Sequence, residues 1–173
     1  MKTTFYAASS IDGFIAKEDG DVSWLDGLVS MEDSGYYEFY STVDALVMGR
    51  KTYEMIISFG EWPYGDKPVW VCSSEKIKPV EGCNLQEGST PDEVYKAAKA
   101  MNKKHLWLVG GGSLASSFLL NNLLTNLSLS LMPIVLGSGI KLFANLPSSI
   151  KMKKQSQKPH ESGMLQLEYT VDL

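Results

Sequence analysis

Arginine, cysteine and histidine are scarce in this chain of 173 residues, and each scarcity removes a class of function. Arg50 is the sole arginine and the net charge is −4, which argues against a nucleic-acid partner, because phosphate-backbone binding rests on clustered cations. Two cysteines, Cys72 and Cys83, are too few for a disulfide scaffold. Cys72 lies inside an apolar run and reads as a small core residue. Cys83, in Glu81-Gly82-Cys83-Asn84, has no histidine near it in sequence to activate a nucleophile. His105 and His160 are spaced neither with each other nor with cysteine for a metal site. No G-x-S-x-G elbow occurs. No apolar run reaches the roughly 20 residues of a membrane span; the longest, Leu127 to Leu136, is interrupted by serines and Pro133. Met1 to Tyr6 lacks signal-peptide anatomy, so a cytoplasmic protein is expected. Without repeats, linkers or low-complexity segments, residues 1–173 read as one domain.

Acid is missing from one long segment. Residues 1–93 carry 17 acids and 7 bases, residues 94–160 carry 9 lysines and no acid, and residues 161–173 carry 3 acids. An acid-free, lysine-bearing segment suits an anionic ligand, although most of its lysines will be solvated surface.

Inside that segment stands Leu106-Trp107-Leu108-Val109-Gly110-Gly111-Gly112-Ser113-Leu114, continuing to Leu120. An apolar run, three glycines and a second apolar segment predict a buried strand, a tight turn and a helix. Bare backbone N–H groups at a helix start favour an anion; a close-packed turn that binds nothing is the alternative. Two more strand ends have similar chemistry. Val43 to Met48 reads as a strand ending in Gly49-Arg50-Lys51-Thr52, where a helix starts and runs to about Ser58. Pro68 to Cys72 reads as a strand ending in Ser73-Ser74. Three such ends point to a nucleotide crevice at the carboxyl edge of a sheet.

The remaining elements follow the same reading. Thr3 to Ser9 is a first strand, followed by a turn at Asp12-Gly13 and a polar loop, Lys17 to Asp21. A helix is expected from Ser30 to about Tyr40, with Tyr36, Tyr37, Phe39 and Tyr40 mostly in the core. Asn84 to Gln86 suggests a short strand. Thr90-Pro91-Asp92-Glu93 opens a helix that reaches Lys103-Lys104. Leu127 to Pro133 reads as a strand, and Ile150 to Lys158 with Met164 to Val171 as a closing antiparallel pair. Alternation of strands and helices predicts a three-layer α/β/α sandwich with a mostly parallel mixed sheet and an antiparallel C-terminal edge.

The triplet is neither a Rossmann fingerprint nor a P-loop. No acid follows it until Glu161, so nothing stands about 20 residues on to hold ribose hydroxyls, and no lysine follows the glycines. A ribose that itself carries a phosphate fits better, with Arg50 as the cation. Helix capping or pairing with a carboxylate are Arg50's alternatives.

Five stretches, Ser10 to Ala16, Val47-Met48-Gly49-Arg50-Lys51-Thr52-Tyr53-Glu54, Val71 to Ser74, Val109 to Leu114 and Pro133 to Gly139, stand in one order and spacing. In them the chain resembles the dihydrofolate reductase superfamily, and more closely its branch containing the reductase domain of the riboflavin-biosynthesis deaminase-reductase. The resemblance implies an NADPH-dependent reductase. On the family's pattern Gly49, Arg50, Lys51, Thr52, Ser73 and Ser74 would hold the adenosine phosphates. Gly110, Gly111, Gly112, Ser113 and Leu114 would cradle the pyrophosphate. Ala8 and the Ile15 to Asp21 loop, with Gly20, would line the nicotinamide, and that loop would act as a lid. A carboxylate in the helix before the Met-Gly-Arg strand assists protonation in folate reductases. Asp33, 16 residues before Gly49, is its counterpart; Glu32 competes, and a plain helix-start acid is the alternative.

Folate is disfavoured because no second arginine is present to clamp a glutamate tail. No zinc-binding His/Cys signature occurs in these 173 residues, so a deaminase half is not expected among them. The resemblance therefore implies a reductase of a small heterocyclic or carbonyl substrate. The riboflavin-pathway 5-amino-6-(5-phosphoribosylamino)uracil reductase is one alternative, and a non-catalytic nucleotide-binding protein on the same scaffold is another. The family and the apolar late strands imply a homodimer.

Overall fold

In a computed structural model, residues 1–28, 30, 34–144 and 146–172 are described. Seven strands form the main sheet: β1 (Lys2–Ser9), β3 (Ala45–Gly49), β4 (Val69–Cys72), β5 (His105–Gly110), β6 (Asn126–Leu131), β8 (Met152–Pro159) and β9 (Leu165–Val171). Their order is β4-β3-β5-β1-β6-β9-β8. The first five run parallel; β9 is antiparallel to both neighbours. Strands β3, β4 and β5 are near-continuous apolar runs because helices cover both faces. A small antiparallel pair, β2 (Phe14–Ala16) with β7 (Ile140–Lys141), stands apart.

One face carries α1 (Tyr36–Thr42) and α2 (Arg50–Ser58), whose Tyr36, Phe39, Tyr40, Tyr53 and Ile56 pack on Leu46, Met48, Val69, Val71 and Trp107. The other face carries α3 (Pro91–Ala100) and α4 (Gly112–Leu120). Their Val94, Ala98, Ala115, Phe118 and Leu119 pack on Phe5, Val47, Trp70, Leu106 and Leu108. This is the expected three-layer sandwich. Each large side chain sealed in these layers contributes about 1.5–3 kcal/mol. Helix α3 starts where the sequence places it: Thr90 Oγ1 accepts from Glu93 N, Glu93 reaches back to Thr90 N, and Pro91 takes the first turn.

Four expectations are corrected. Helix α1 starts at Tyr36 rather than Ser30, after Gly35 in a left-handed conformation (φ 75°). Tyr37 is exposed, since one turn turns it away from the sheet that Tyr36 and Tyr40 face. Asn84 to Gln86 adds a single bridge, Val69 to Leu85, and no strand. Helix α3 stops at Ala100, and Asn102 takes a positive φ beyond it.

At the amino edge of the sheet His105 is buried between two threonines, with Nε2 2.7 Å from Thr4 Oγ1 and Nδ1 3.0 Å from Thr42 Oγ1. Burial lowers its pKa, with the charge of Lys2 acting in the same direction.

Candidate functional site

At the carboxyl edge, β3 and β5 are neighbours and each runs straight into a helix. Gly49 precedes α2 and Gly111 precedes α4, and no side chain caps either helix. In α4 the first intrahelical bond is Ala115 N to Gly111 O at 3.0 Å, so the N–H groups of Gly112, Ser113 and Leu114 have no helical acceptor. The two starts touch. A Cβ on Gly49 would lie 3.9 Å from Gly110 O and 4.0 Å from Gly111 N, and one on Gly110 would lie 3.5 Å from Thr52 Oγ1. Two positive dipole ends therefore meet over one patch of bare backbone.

The three glycines divide the work. A Cβ on Gly112 would collide with the backbone carbonyls of Lys141 and Leu142, so that glycine admits the chain that follows β7. A Cβ on Gly111 would meet only Thr52 Oγ1, at 3.8 Å. Thus Gly112 is a packing requirement, while Gly111 keeps the surface between α2 and α4 open.

Loop Ser73-Ser74 adjoins this patch, because Gly49 and Cys72 are in register. Arg50 reaches over it, its Nη1 lying 3.2 Å from Glu54 Oε1 and 3.4 Å from Glu75 Oε2. Arg50 therefore pairs with carboxylates, one of the two alternatives the sequence leaves for it. Lys51 is exposed on the same turn. Cys72 is half-buried, and burial pushes its thiol up to about 12, which makes it inert.

The predicted lid meets the triplet through β7. Strand β2, which holds Ile15, pairs with β7, and Leu142 N donates to Gly13 O at 2.9 Å. The lid is tied internally. Asp21 accepts from Lys17 Nζ at 2.7 Å and from Ser23 N and Oγ at 2.8 Å, and these partners, Lys17 first, lower its pKa to about 2. Gly20 supplies the positive φ (89°) of the turn. Ala8 lies on β1 among Trp24, Met132 and Met164. The Trp24 indole N–H is buried there with no acceptor among the described residues.

Asp33 and Glu32 lie outside the described residues. Their neighbour Ser34 receives the Tyr6 hydroxyl on its carbonyl oxygen at 3.2 Å, and its Oγ accepts from Tyr36 N.

Two features escape the sequence. Asp12, read as a turn residue, clamps a loop more than a hundred residues away: Oδ1 accepts from Leu136 N at 3.1 Å and Oδ2 from Gly137 N at 2.7 Å. The Ser10 hydroxyl foremost, then these N–H groups, lower its pKa. The second feature is a polar wall on the β1-β6-β9 face beside α1. Ser130 Oγ donates to Gln166 Oε1 at 2.6 Å. Gln166 Nε2 donates to Ser128 Oγ at 2.8 Å and Glu168 Oε1 at 3.1 Å, and Ser128 Oγ donates to Glu168 Oε1 at 2.6 Å. The Leu-Ser-Leu-Ser-Leu alternation was its signal, but the partners depend on which strand lies alongside. Ala8, Ser130, Gln166 and Lys158 form one cross-strand row. Lys158 ends that row in the wall of a cavity of about 650 Å³, with His160 beside it and Leu28, Ser30, Tyr37 and Glu38 opposite.

Read along the edge, an uncapped backbone surface lies at β4-β3-β5, an apolar floor at β1, and a polar cavity at β6-β9-β8. From β4 to β1 is three strand spacings, about 14 Å. Such an edge can hold an extended anionic ligand at one end and a small polar molecule at the other. Among the described residues no group of three His, Cys, Asp or Glu is placed to hold a metal, and no helix is long and apolar enough to cross a membrane.

Comparison with known proteins adds a family. The RibD C-terminal domain matches residues 2–165. A curated relative, the uncharacterised Bacillus subtilis (strain 168) protein YwjB, is 35% identical over 161 residues, covering 91% of each chain. A crystal structure of a riboflavin biosynthesis protein from Shewanella sp. PV-4, so described provisionally, superposes with a TM-score of 0.88 at 29% identity over the whole of both chains. The Thermotoga maritima diaminohydroxyphosphoribosylaminopyrimidine deaminase/5-amino-6-(5-phosphoribosylamino)uracil reductase shares the fold. Its TM-score is 0.73 at 14% identity, over 98% of this chain and 56% of that one.

Proposed function

Because the chain belongs to the RibD C-terminal domain family, a family of reductase domains, we propose that it is an NADPH-dependent reductase of a small heterocyclic or carbonyl substrate. One observation carries the reading: two uncapped helix starts, after Gly49 and after Gly111, converge at the ends of adjacent strands. That surface suits a pyrophosphate, and the residues around it suit the rest of a dinucleotide. Ser73, Ser74, Lys51 and Thr52 surround the adenosine end, with Arg50 for the ribose phosphate. Ala8 and the Ile15 to Asp21 loop flank the nicotinamide end. NADPH, when bound, supplies the hydride.

The chain's own part is to bind, orient and shield. The N–H groups of Gly112, Ser113 and Leu114 hold anionic oxygens without a reorganisation cost, because α4 fixes them before the ligand arrives. Ser130 and Gln166, on the wall that leads to the cavity, orient the substrate by hydrogen bonds. Asp33 is the candidate proton donor by its correspondence to the carboxylate of folate reductases.

Lys158 and His160 in the cavity wall favour one substrate among the possibilities, a pyrimidine bearing a ribose phosphate. This is the substrate class in the name of the Thermotoga protein.

The test is an NADPH-oxidation screen against pterins, phosphoribosylaminouracil, quinones and simple carbonyls, preceded by NADPH titration of tryptophan fluorescence. Saturable quenching and turnover of one class are expected. Binding without turnover of any class would leave a nucleotide-binding protein on a reductase scaffold. Absence of binding at millimolar NADPH would defeat the proposal.

A further inference from the structure

The acid that a ribose-reading site requires is missing downstream of the triplet, yet the fold brings one in from another strand. Gly49 and Cys72 are in register at the ends of β3 and β4, so Arg50 and the segment 73–75 stand side by side. The Ser73 hydroxyl accepts from Glu75 N at 2.9 Å and sets the turn that carries the Glu75 side chain. Glu75 Oε2 then lies 3.4 Å from Arg50 Nη1, and Glu54 Oε1 lies 3.2 Å from the same nitrogen. The sole arginine of the chain is therefore flanked by two carboxylates, one on its own helix and one on the neighbouring loop.

A lone arginine at this position would select strongly for a phosphorylated ribose. This one does not stand alone. A phosphate must displace Glu75 and then share its surroundings with that charge. A free 2′-hydroxyl has no such obstacle, because it donates a hydrogen bond to a carboxylate, the contact by which acids at strand ends read unphosphorylated ribose. The pair is solvent-exposed, with 38% of the Arg50 side chain and 66% of the Glu75 side chain accessible. It is accordingly weak and easily opened by either ligand.

We infer that Arg50 and Glu75 together make this crevice accept NADH as well as NADPH. Glu75 takes the ribose hydroxyl of the first and Arg50 the phosphate of the second, so Glu75 is the residue that sets the ratio. This inference rests on the dinucleotide reading above and broadens it.

The experiment measures dissociation constants of NADPH, NADH, 2′,5′-ADP and 5′-ADP by calorimetry at fixed ionic strength. It compares the full-length chain, Glu75→Gln and Arg50→Ala, with an unfolding curve for each variant. In the wild type NADH and NADPH should bind within about tenfold of each other. Glu75→Gln should tighten NADPH and 2′,5′-ADP by about two- to fivefold, the worth of an exposed ion pair, and weaken NADH. Arg50→Ala should weaken NADPH and 2′,5′-ADP and leave NADH unchanged. A wild-type preference for NADPH well beyond tenfold, or equal shifts of both dinucleotides in Glu75→Gln, would overturn the inference while leaving a reductase in place. Failure of every ligand to bind the wild type would instead remove the dinucleotide reading, and this inference with it.

Discussion

The two ends of the carboxyl edge are built from different materials. At β3 and β5 the surface is backbone: no side chain caps either helix start, the N–H groups of Gly112, Ser113 and Leu114 have no helical acceptor, and Gly49, Gly110 and Gly111 put no side chain over them. At β6 and β9 it is side chain: Ser128, Ser130, Gln166 and Glu168 satisfy one another across two strands. A backbone site is indifferent to which side chains surround it, so long as none intrudes. A side-chain wall depends on every member. The first kind suits a phosphate group that many ligands share, and the second suits a substrate that must be told apart from its relatives.

The contrast breaks most sharply within the triplet. Gly112→Val forces a side chain into the carbonyls of Lys141 and Leu142. A loss of 3 kcal/mol or more, on the order of severe overpacking, or failure to fold is expected in thermal or urea unfolding. Gly111→Val should leave unfolding within about 1 kcal/mol of wild type and abolish saturable NADPH quenching. If the two variants behave alike, the triplet is a packing device throughout.

The wall is probed next. Gln166→Ala removes the acceptor of Ser130 and one of the two wall partners of Ser128 and of Glu168, which keep their bond to each other. Unfolding should register a cost of about 1–3 kcal/mol for the lost hydrogen bonds. NADPH affinity should stay unchanged and the KM of whichever substrate the screen finds should rise. Weakened NADPH binding would mean that the two ends are not separate.

The smallest effect lies at the opposite edge of the sheet. Burial lowers the pKa of His105 below its ordinary 6.5 in the folded chain, so the unfolded chain takes the proton first. Stability should fall as pH drops through about 6.5 and level off below the folded pKa, with a slope of at most about 1.4 kcal/mol per pH unit. His105→Gln should flatten that segment of the stability-against-pH curve and leave the carboxyl edge untouched. A matching loss of NADPH binding would couple the two edges.

Much of this was legible in the chain. Apolar runs closed by glycine, serine or a cation marked three strand ends, because a buried parallel strand needs β-branched and aromatic residues on both faces and a helix start needs small ones. The cap at Thr90-Pro91-Glu93 fixed α3 on local hydrogen bonds alone. The sequence of Ser30 to Asp33 also looks like a helix start, yet α1 begins at Tyr36, where its aromatics first reach Tyr6 and Trp107. Tertiary packing outweighed the local signal there.

What the sequence determined by itself is the backbone chemistry: glycines and small residues restrict φ, ψ and close approach wherever they stand, so the triplet and its neighbours at Gly49 and Ser73 read as anion-binding ends before any fold was known. Only the tertiary structure decided which residues face one another. Asp12 reaching Leu136, Glu75 reaching Arg50 and Gln166 joining Ser128 to Ser130 are all products of strand order and register. Strand order and register minimise the free energy of the whole sheet, so no local stretch of chain encodes them.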